Sequence, residues 1–213
     1  ARKLAAAGVI SGTVVTSDAQ TSGRGRQGRP WSTPGGALAY SLVLRRRIEM
    51  PGTLPLQAGV AVCEAVETLG VEMAQVKWPN DVWIDGRKVA GILVEARPQD
   101  GWAVVGIGLN LTVAQSDFPP DLRDRATSVG NASSAEAISA LNHSLGHWLD
   151  EPIEFALSEF SRRDALLGRT VKWQGGHGQA HGIDGNGNLI VEAPDGSLTP
   201  LNAGEVHLDV PTA

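Results

Sequence analysis

The segment Gly23-Arg24-Gly25-Arg26-Gln27-Gly28-Arg29 places three guanidiniums on one glycine-rich loop of a 213-residue chain. Glycine lets backbone N–H groups approach an anion closely. Each arginine adds a planar fork that matches the oxygens of a phosphate or carboxylate. The same letters contain Gly-x-Gly-x-x-Gly, the fingerprint of a dinucleotide-binding turn. That fingerprint requires a helix to start on the glycines so that its N-terminus faces a pyrophosphate. Here Pro30-Trp31-Ser32-Thr33-Pro34-Gly35-Gly36 follows, and Arg45 to Arg47 stand where the acidic residue belongs. The dinucleotide reading fails, which leaves an anion cradle or a solvated basic turn.

Three further clusters bear on that choice. Lys77-Trp78-Pro79-Asn80-Asp81 sits where one strand ends and the next begins. Pro79 stops a ladder there, and a strand end is a common place to build a site; a plain Asn-Asp turn is the alternative. Lys88 opens Lys88-Val89-Ala90-Gly91-Ile92-Leu93-Val94-Glu95, a strand otherwise small and apolar. A lysine at such a mouth can neutralise a phosphate or carboxylate, although many edge lysines only guard an exposed strand. Gly106-Ile107-Gly108-Leu109-Asn110 ends another strand with glycines that permit close ligand approach and an amide that could read a base edge. Three arginines, two lysines and two asparagine-bearing strand ends predict an anionic, nucleotide-like ligand.

The elements that must hold these groups follow from periodicity. Thr13 to Ser17 is β-branched and predicts a strand, and Ala37 to Arg46 predicts a second. Thr53 to Leu69 carries Leu56, Val60, Cys63, Val66 and Leu69 at helical spacing, and Gly70 ends it. Strands are expected over Val76 to Trp78, Val82 to Ile84, Val89 to Glu95 and Trp102 to Leu109, with Asp85-Gly86 turning a hairpin. Ser133 and Glu136 have the spacing of a capping box for a helix reaching Trp148, and Pro152 can start another through Phe160. After Arg169 short strands alternate with Gly175-Gly176, Asp184-Gly185-Asn186-Gly187 and Asp195-Gly196, the texture of a small β-barrel. The division expected is 1–168 and 169–213.

Composition narrows the classes. The sequence is 42% hydrophobic and 19% charged, an ordinary globular balance. A net charge of −5 argues against a duplex nucleic-acid binder, and no apolar run could span a bilayer. The lone cysteine, Cys63, lies in an apolar helical stretch, so the cytoplasm is the expected compartment. His177 and His181 are four apart on a glycine-rich hairpin rather than on one helix face, and no third ligand accompanies them. His143 and His147 do share a helix face, again without a third ligand. Trp83, Trp102 and Trp148 fall in strand or helix patterns and are expected to pack.

Taken in order, the Gly/Arg loop with Gln20 before it, Lys77 to Asp81, Lys88 to Glu95 and Gly106 to Asn110 resemble the biotin protein ligase family over most of the chain. The resemblance implies an α+β catalytic domain with a mixed β-sheet, like class II aminoacyl-tRNA synthetases, followed by a C-terminal SH3-like β-barrel. It implies an ATP-dependent enzyme that makes biotinyl-5′-AMP and passes the biotinyl group to a lysine of a carboxylase's biotin carrier domain. Biotin, ATP and Mg²⁺ are then the expected ligands. A homodimer through a sheet edge is an expected assembly. By position, Gln20, Gly23, Arg24, Gly25, Arg26 and Lys88 would contact biotin. Arg26, Arg29, Trp31, Lys77, Asn80, Asp81 and Asn110 would contact ATP or the adenylate, with Lys88 and Arg26 catalytic. No fixed protein ligands for metal are implied; Mg²⁺ would come with ATP, near Asp81.

Two departures are visible. The family's Ser-Thr-Asn stretch for the biotin head lies upstream of the first residue here, and Ala1 to Gly8 resembles the back half of a helix. Weak biotin binding, or none, is expected on that account. There is likewise no helix-turn-helix in the sequence, so no repressor role is expected. Glu205 fits a family acidic position, whereas Asp209 stands where some members carry arginine. The alternatives are a lipoate–protein ligase and a non-catalytic module that binds a nucleotide or carrier.

Overall fold

The computed structural model describes residues 1–202, 204 and 206–208; the positions compared above at Glu205 and Asp209 lie outside them. A short helix α1 (Arg2–Ala6) precedes strand β1 (Val14–Ser17), and β2 (Ala37–Arg45) follows the Gly/Arg loop. Helix α2 (Leu54–Thr68) leads to β3 (Gln75–Lys77), β4 (Asp81–Ile84), β5 (Arg87–Arg97) and β6 (Trp102–Asn110). These six strands form one sheet in the order β1-β2-β6-β5-β4-β3. Every ladder in it is antiparallel, and parallel pairing is confined to single bridges, Val76 with Asp164 and Lys88 with Ala126. The mixed sheet expected from the resemblance is corrected accordingly. Short hairpin connections such as Asp85-Gly86, rather than helical crossovers, join β3 through β6, and a hairpin can only pair its strands antiparallel.

Strand alternation decides which face meets the helices. In β2, Leu38, Tyr40, Leu42 and Leu44 are at most 8% exposed and point into the core with Ala90, Ile92, Val105, Ile107 and Leu109. Helix α2 and helix α3 (Ser134–Asp150) cover that face. Ser133 caps α3 through the expected box, its hydroxyl accepting the Glu136 N–H while the Glu136 carboxylate accepts the Ser133 N–H. Polar links between helices are satisfied: Glu64 accepts from Ser144 and from the Trp148 indole at 2.6 Å. Arg163, just after α4 (Ile153–Arg162), bridges Glu67 and Glu159. Cys63 is fully buried, and burial pushes its thiol well up, which makes it inert packing.

The remaining strands, β7 (Thr170–Trp173), β8 (Gly176–Ile183), β9 (Leu189–Glu192), β10 (Leu198–Leu201) and β11 (Val206–Leu208), form a second antiparallel sheet ordered β10-β9-β8-β7-β11. No ladder joins β10 to β11 among the described residues, so the sheet is open. Val171, Ala180, Leu189, Val191 and Val206 belong to the same continuous core as the first sheet. His181 lies 2.6 Å from Glu192 on the neighbouring strand. Among the described residues no helix is long and apolar enough to cross a membrane.

Between α4 and the second sheet sits Asp164, 9% exposed. Its Oδ1 accepts the Leu166 N–H at 2.8 Å, while its buried Oδ2 has no hydrogen-bond partner. Burial raises this carboxyl to about 6, against backbone N–H groups of Leu166 and Leu167 that lower it. A folded pKa above the ordinary value means that protonation favours the fold. The resulting stability is complete below the ordinary carboxylate pKa and is lost as pH rises through about 6. Asp164→Asn keeps the acceptor and removes the charge. It should therefore stabilise the protein near pH 7.5 by about 2–3 kcal/mol and much less near pH 4. Thermal melts of both proteins at the two pH values check this; equal shifts at both would contradict it.

Candidate functional site

The face of the first sheet opposite α2 and α3 is built from small residues at its centre. Antiparallel register brings Ser17, Ala39, Gly108, Gly91, Asp81 and Lys77 into one row that crosses all six strands. The adjacent row is Val15, Ser41, Gly106 and Leu93. Between α1, which covers Val43, Trp102 and Val104 further along this face, and the charged end of the first row lies a floor of Ala39, Ser41, Gly91, Gly106 and Gly108. Only backbone and short side chains rise from it, which suits a ligand laid flat across strands.

The Gly/Arg loop closes over this floor. Gly25 donates its N–H to the Arg29 carbonyl at 2.7 Å and Trp31 donates to the Gly23 carbonyl at 3.0 Å, so the loop folds on itself as a narrow hairpin with its apex at Arg26–Gly28. Pro34 to Gly36 then leads directly into β2; the loop holds only a three-residue 3-10 turn, Arg26–Gly28, and no α-helix starts there, in keeping with the failed dinucleotide reading. At the apex, Arg24, Gly25, Arg26, Gln27 and Gly28 face Leu93 and Glu95 across a cavity of about 490 Å³, a size common for small-molecule sites. Glu95 is ion-paired with Arg2 at 2.7 Å, so the arginines set the sign of the field there.

At the base of the loop the Trp31 indole rests directly on the two glycines. A Cβ at Gly108 would come within 2.2 Å of the ring and one at Gly91 within 3.0 Å. The Lys88 ammonium stands 5.3 Å from the ring centroid, a cation–π distance. The indole N–H is buried with no hydrogen-bond partner. An orphan donor of this kind is costly in a finished interior, and here it lies in the lining of the floor.

A chain of polar contacts connects the other motifs. Lys88 is 2.6 Å from the Asp81 carboxylate. Asn80 accepts from the Arg26 guanidinium at 3.1 Å and donates to the Ile92 carbonyl at 2.7 Å. The backbone of Lys88 is fixed on both sides, its N–H donating to Arg125 and its carbonyl accepting from Thr127. Lys88, Asp81, Asn80, Arg26 and Trp31 thus meet at one place, though they come from three separate sequence motifs. Gly23, Arg24 and Gly25 overhang it. Lys77 shares the row with Asp81, but its ammonium lies 5.6 Å over the Trp83 ring. Gln20 is exposed at the margin, where it accepts from Thr33. Arg29 is exposed on the loop. Asn110 is 4% exposed and donates to the Thr127 carbonyl, so one half of its amide is already engaged by the fold.

Sequence reasoning missed Ala39, Ser41 and Leu93 as parts of the floor. A signal for the first two was present in β2, where small residues at 37, 39 and 41 alternate with Leu38, Tyr40 and Leu42. The pairing that sets them beside Gly106 and Gly108 is visible only in the folded sheet. Among the described residues no group of three His, Cys, Asp or Glu side chains is gathered for a metal ion.

Comparison with known proteins adds an independent line. Residues 3–111 match the biotin/lipoate A/B protein ligase family, and residues 166–209 match the biotin protein ligase C terminal domain. The bifunctional ligase/repressor BirA of Bacillus subtilis is 34% identical over 92% of this chain, which spans 66% of that relative's length. The biotin–[acetyl-CoA-carboxylase] ligase of Mycobacterium tuberculosis is 34% identical over 93% of this chain and 80% of its own. Among solved structures, the biotin protein ligase of Aquifex aeolicus in complex with biotin and ATP superposes with a TM-score of 0.85 at 29% identity. That match covers 97% of this chain and 93% of the other.

The seat of Trp31 is directly testable. Gly108→Ala should expel the ring from the sheet while leaving the strand intact, since alanine suits a strand interior at least as well as glycine. Acrylamide quenching, compared with and without Trp31→Phe, should show Trp31 newly accessible. Quenching that does not change on Gly108→Ala would contradict the packing described.

Proposed function

The chain belongs to the biotin/lipoate A/B protein ligase family, and we propose that it is an ATP-dependent biotin–protein ligase. On this reading it joins biotin to AMP and then transfers the biotinyl group to a lysine of a biotin carrier domain. One observation carries the proposal: a flat floor of small residues lies between a loop bearing Arg24 and Arg26 and the cationic end of Lys88. With the Trp31 ring moved off Gly91 and Gly108, such a floor takes a thin, largely apolar ring system, and the cations at its edge take the carboxylate and phosphate that must meet.

The chemistry follows from that opposition of charges. A biotin carboxylate oxygen attacks the α-phosphorus of ATP, the bond to the bridging oxygen breaks, and pyrophosphate leaves. Two anions have to approach, and their repulsion is the main electrostatic obstacle. Lys88, released from Asp81 toward the incoming carboxylate, and Arg26, held by Asn80 at the same spot, offset it and stabilise the charge that builds on the phosphoryl oxygens. Trp31 and the hairpin loop cover the acyl-adenylate and keep water from the mixed anhydride. The carrier lysine, as a free amine, then attacks the acyl carbon and AMP departs. Lys77, Arg29 and Asn110 would meet the nucleotide, and Gln20, Gly23 and Gly25 the biotin side.

The described residues do not make a resident cation site, because Asp81 is taken by Lys88 and no carboxylate cluster accompanies it. Magnesium enters this reading as the ion that ATP brings, near Asp81. Docking of the carrier, self-association through a sheet edge and a cytoplasmic setting belong to the same proposal.

Biotin-dependent ATP–pyrophosphate exchange tests it. The protein should exchange with biotin and not with lipoate. Lys88→Ala should lower the exchange rate by about 10²- to 10³-fold while leaving carrier docking intact. Absence of exchange in the unmodified protein would overturn the ligase reading in favour of a binding module.

A further inference from the structure

The segment that carries Lys77, Asn80 and Asp81 is held from behind by the second sheet. Lys77 and Asp81 face the small-residue floor, so Trp78, between them in sequence, points the other way, into the core, and is 2% exposed. Its indole N–H donates at 3.0 Å to the carbonyl of Gly187, a buried bond between residues 109 apart in the chain. Gly187 belongs to the turn that joins β8 to β9. Asp184 ties that turn: its carboxylate accepts the N–H groups of Asn186 and Asn188 and the Asn188 side-chain amide, and the Gly187 N–H returns to the Asp184 carbonyl. Gly187 has φ +79, and a Cβ there would lie 2.6 Å from Leu56 Cδ1. The turn is therefore seated against the first turns of α2 with no slack.

The outer edge of β3 is gripped as well. The Val76 N–H donates to the Arg163 carbonyl at 2.9 Å, and the Ala165 N–H donates to the Val76 carbonyl at 3.0 Å. Beyond β4, this three-residue edge strand thus has two holds, and both come from the region leading into, or lying within, the second sheet. A three-residue strand paired on one side would otherwise be free to fray.

We propose that the Asp184–Asn188 turn is a positioning element for the adenylation step, acting through the Trp78–Gly187 hydrogen bond to hold Lys77, Asn80 and Asp81, and so Lys88 and Arg26, in register. Asp184 and Gly187 are positioning residues; neither touches substrate. The inference rests on the ligase reading and deepens it, because it makes the second sheet part of the apparatus for the first half-reaction rather than a separate appendage.

Trp78→Phe keeps a buried ring and deletes the donor. Asp184→Ala unties the turn without touching the core. Asp184→Asn is the conservative control, since it retains Oδ1 for both backbone N–H groups and the Asn188 amide can rotate to accept from it. In biotin-dependent pyrophosphate exchange, kcat should fall about tenfold or more in the first two variants, a loss in the range that a small misplacement produces. KM for biotin should stay within about twofold, and Asp184→Asn should recover most of the rate. Far-UV circular dichroism at the assay temperature reports the folded fraction alongside. Unchanged kcat in both Trp78→Phe and Asp184→Ala overturns the proposal, and so does a fall that only tracks the unfolded fraction. An unmodified protein inactive in exchange removes the ligase reading and this inference together; an active one with active variants removes this inference alone.

Discussion

The register of the six-stranded antiparallel sheet is the constraint on which the site depends. Pairing Gly91 with Gly108, and Gly108 with Ala39, gathers the short side chains of three strands into one floor. A slip of one residue on any of these strands would turn Ile92, Ile107 or Tyr40 outward and bury glycines against the helices. The register is fixed from the other side. Large apolar residues at alternate positions are almost fully buried under α2 and α3, and the hydrophobic gain from that burial, about 1.5–3 kcal/mol for each large side chain, makes the slipped arrangement prohibitive. The core thus determines the floor without contacting any ligand.

On that floor the charges are arranged in a poised rather than a relaxed state. Lys88, beside the Trp31 ring, is ion-paired with Asp81, whereas Arg26 donates only to the neutral amide of Asn80. These are contacts a ligand carboxylate or phosphate can replace, because each cation keeps donors beyond the one engaged. The unpartnered indole N–H of Trp31 sits in the same lining. Polar groups left partly unsatisfied in a concave site are the ordinary price of readiness to bind.

The second sheet shares one core with the first, and its contribution reaches into the site by geometry rather than by chemistry. Trp78 illustrates the arrangement: Lys77 before it and Asp81 after it lie in the row of the small-residue floor, while its own indole N–H is committed to Gly187 in the β8–β9 turn. Glu64 and Arg163 likewise knit α2, α3 and α4 through half-buried hydrogen-bonded charges. Asp164 is the exception, a buried carboxyl with one idle oxygen at the junction.

Much was legible from the sequence because it is local. Helix α3 was announced by Ser133 and Glu136, the β4–β5 hairpin by Asp85-Gly86, and the failure of the dinucleotide fingerprint by the prolines after Gly28; each depends on residues a few positions apart. Three of the four motifs also supply Arg26, Asn80, Asp81 and Lys88, the polar groups that the fold brings together. The sequence could not determine which strands are neighbours, since pairing is set by the burial of whole faces and not by any one strand's pattern. For that reason the sheet proved antiparallel throughout where a mixed one was expected, and Ala39 and Ser41 went unnoticed. Likewise only the tertiary structure decided that Lys88 meets Asp81, that Trp31 lies on Gly91 and Gly108, and that Trp78 reaches Gly187. Contacts across tens of residues arise when separate elements are packed on a common core, and no local propensity encodes them.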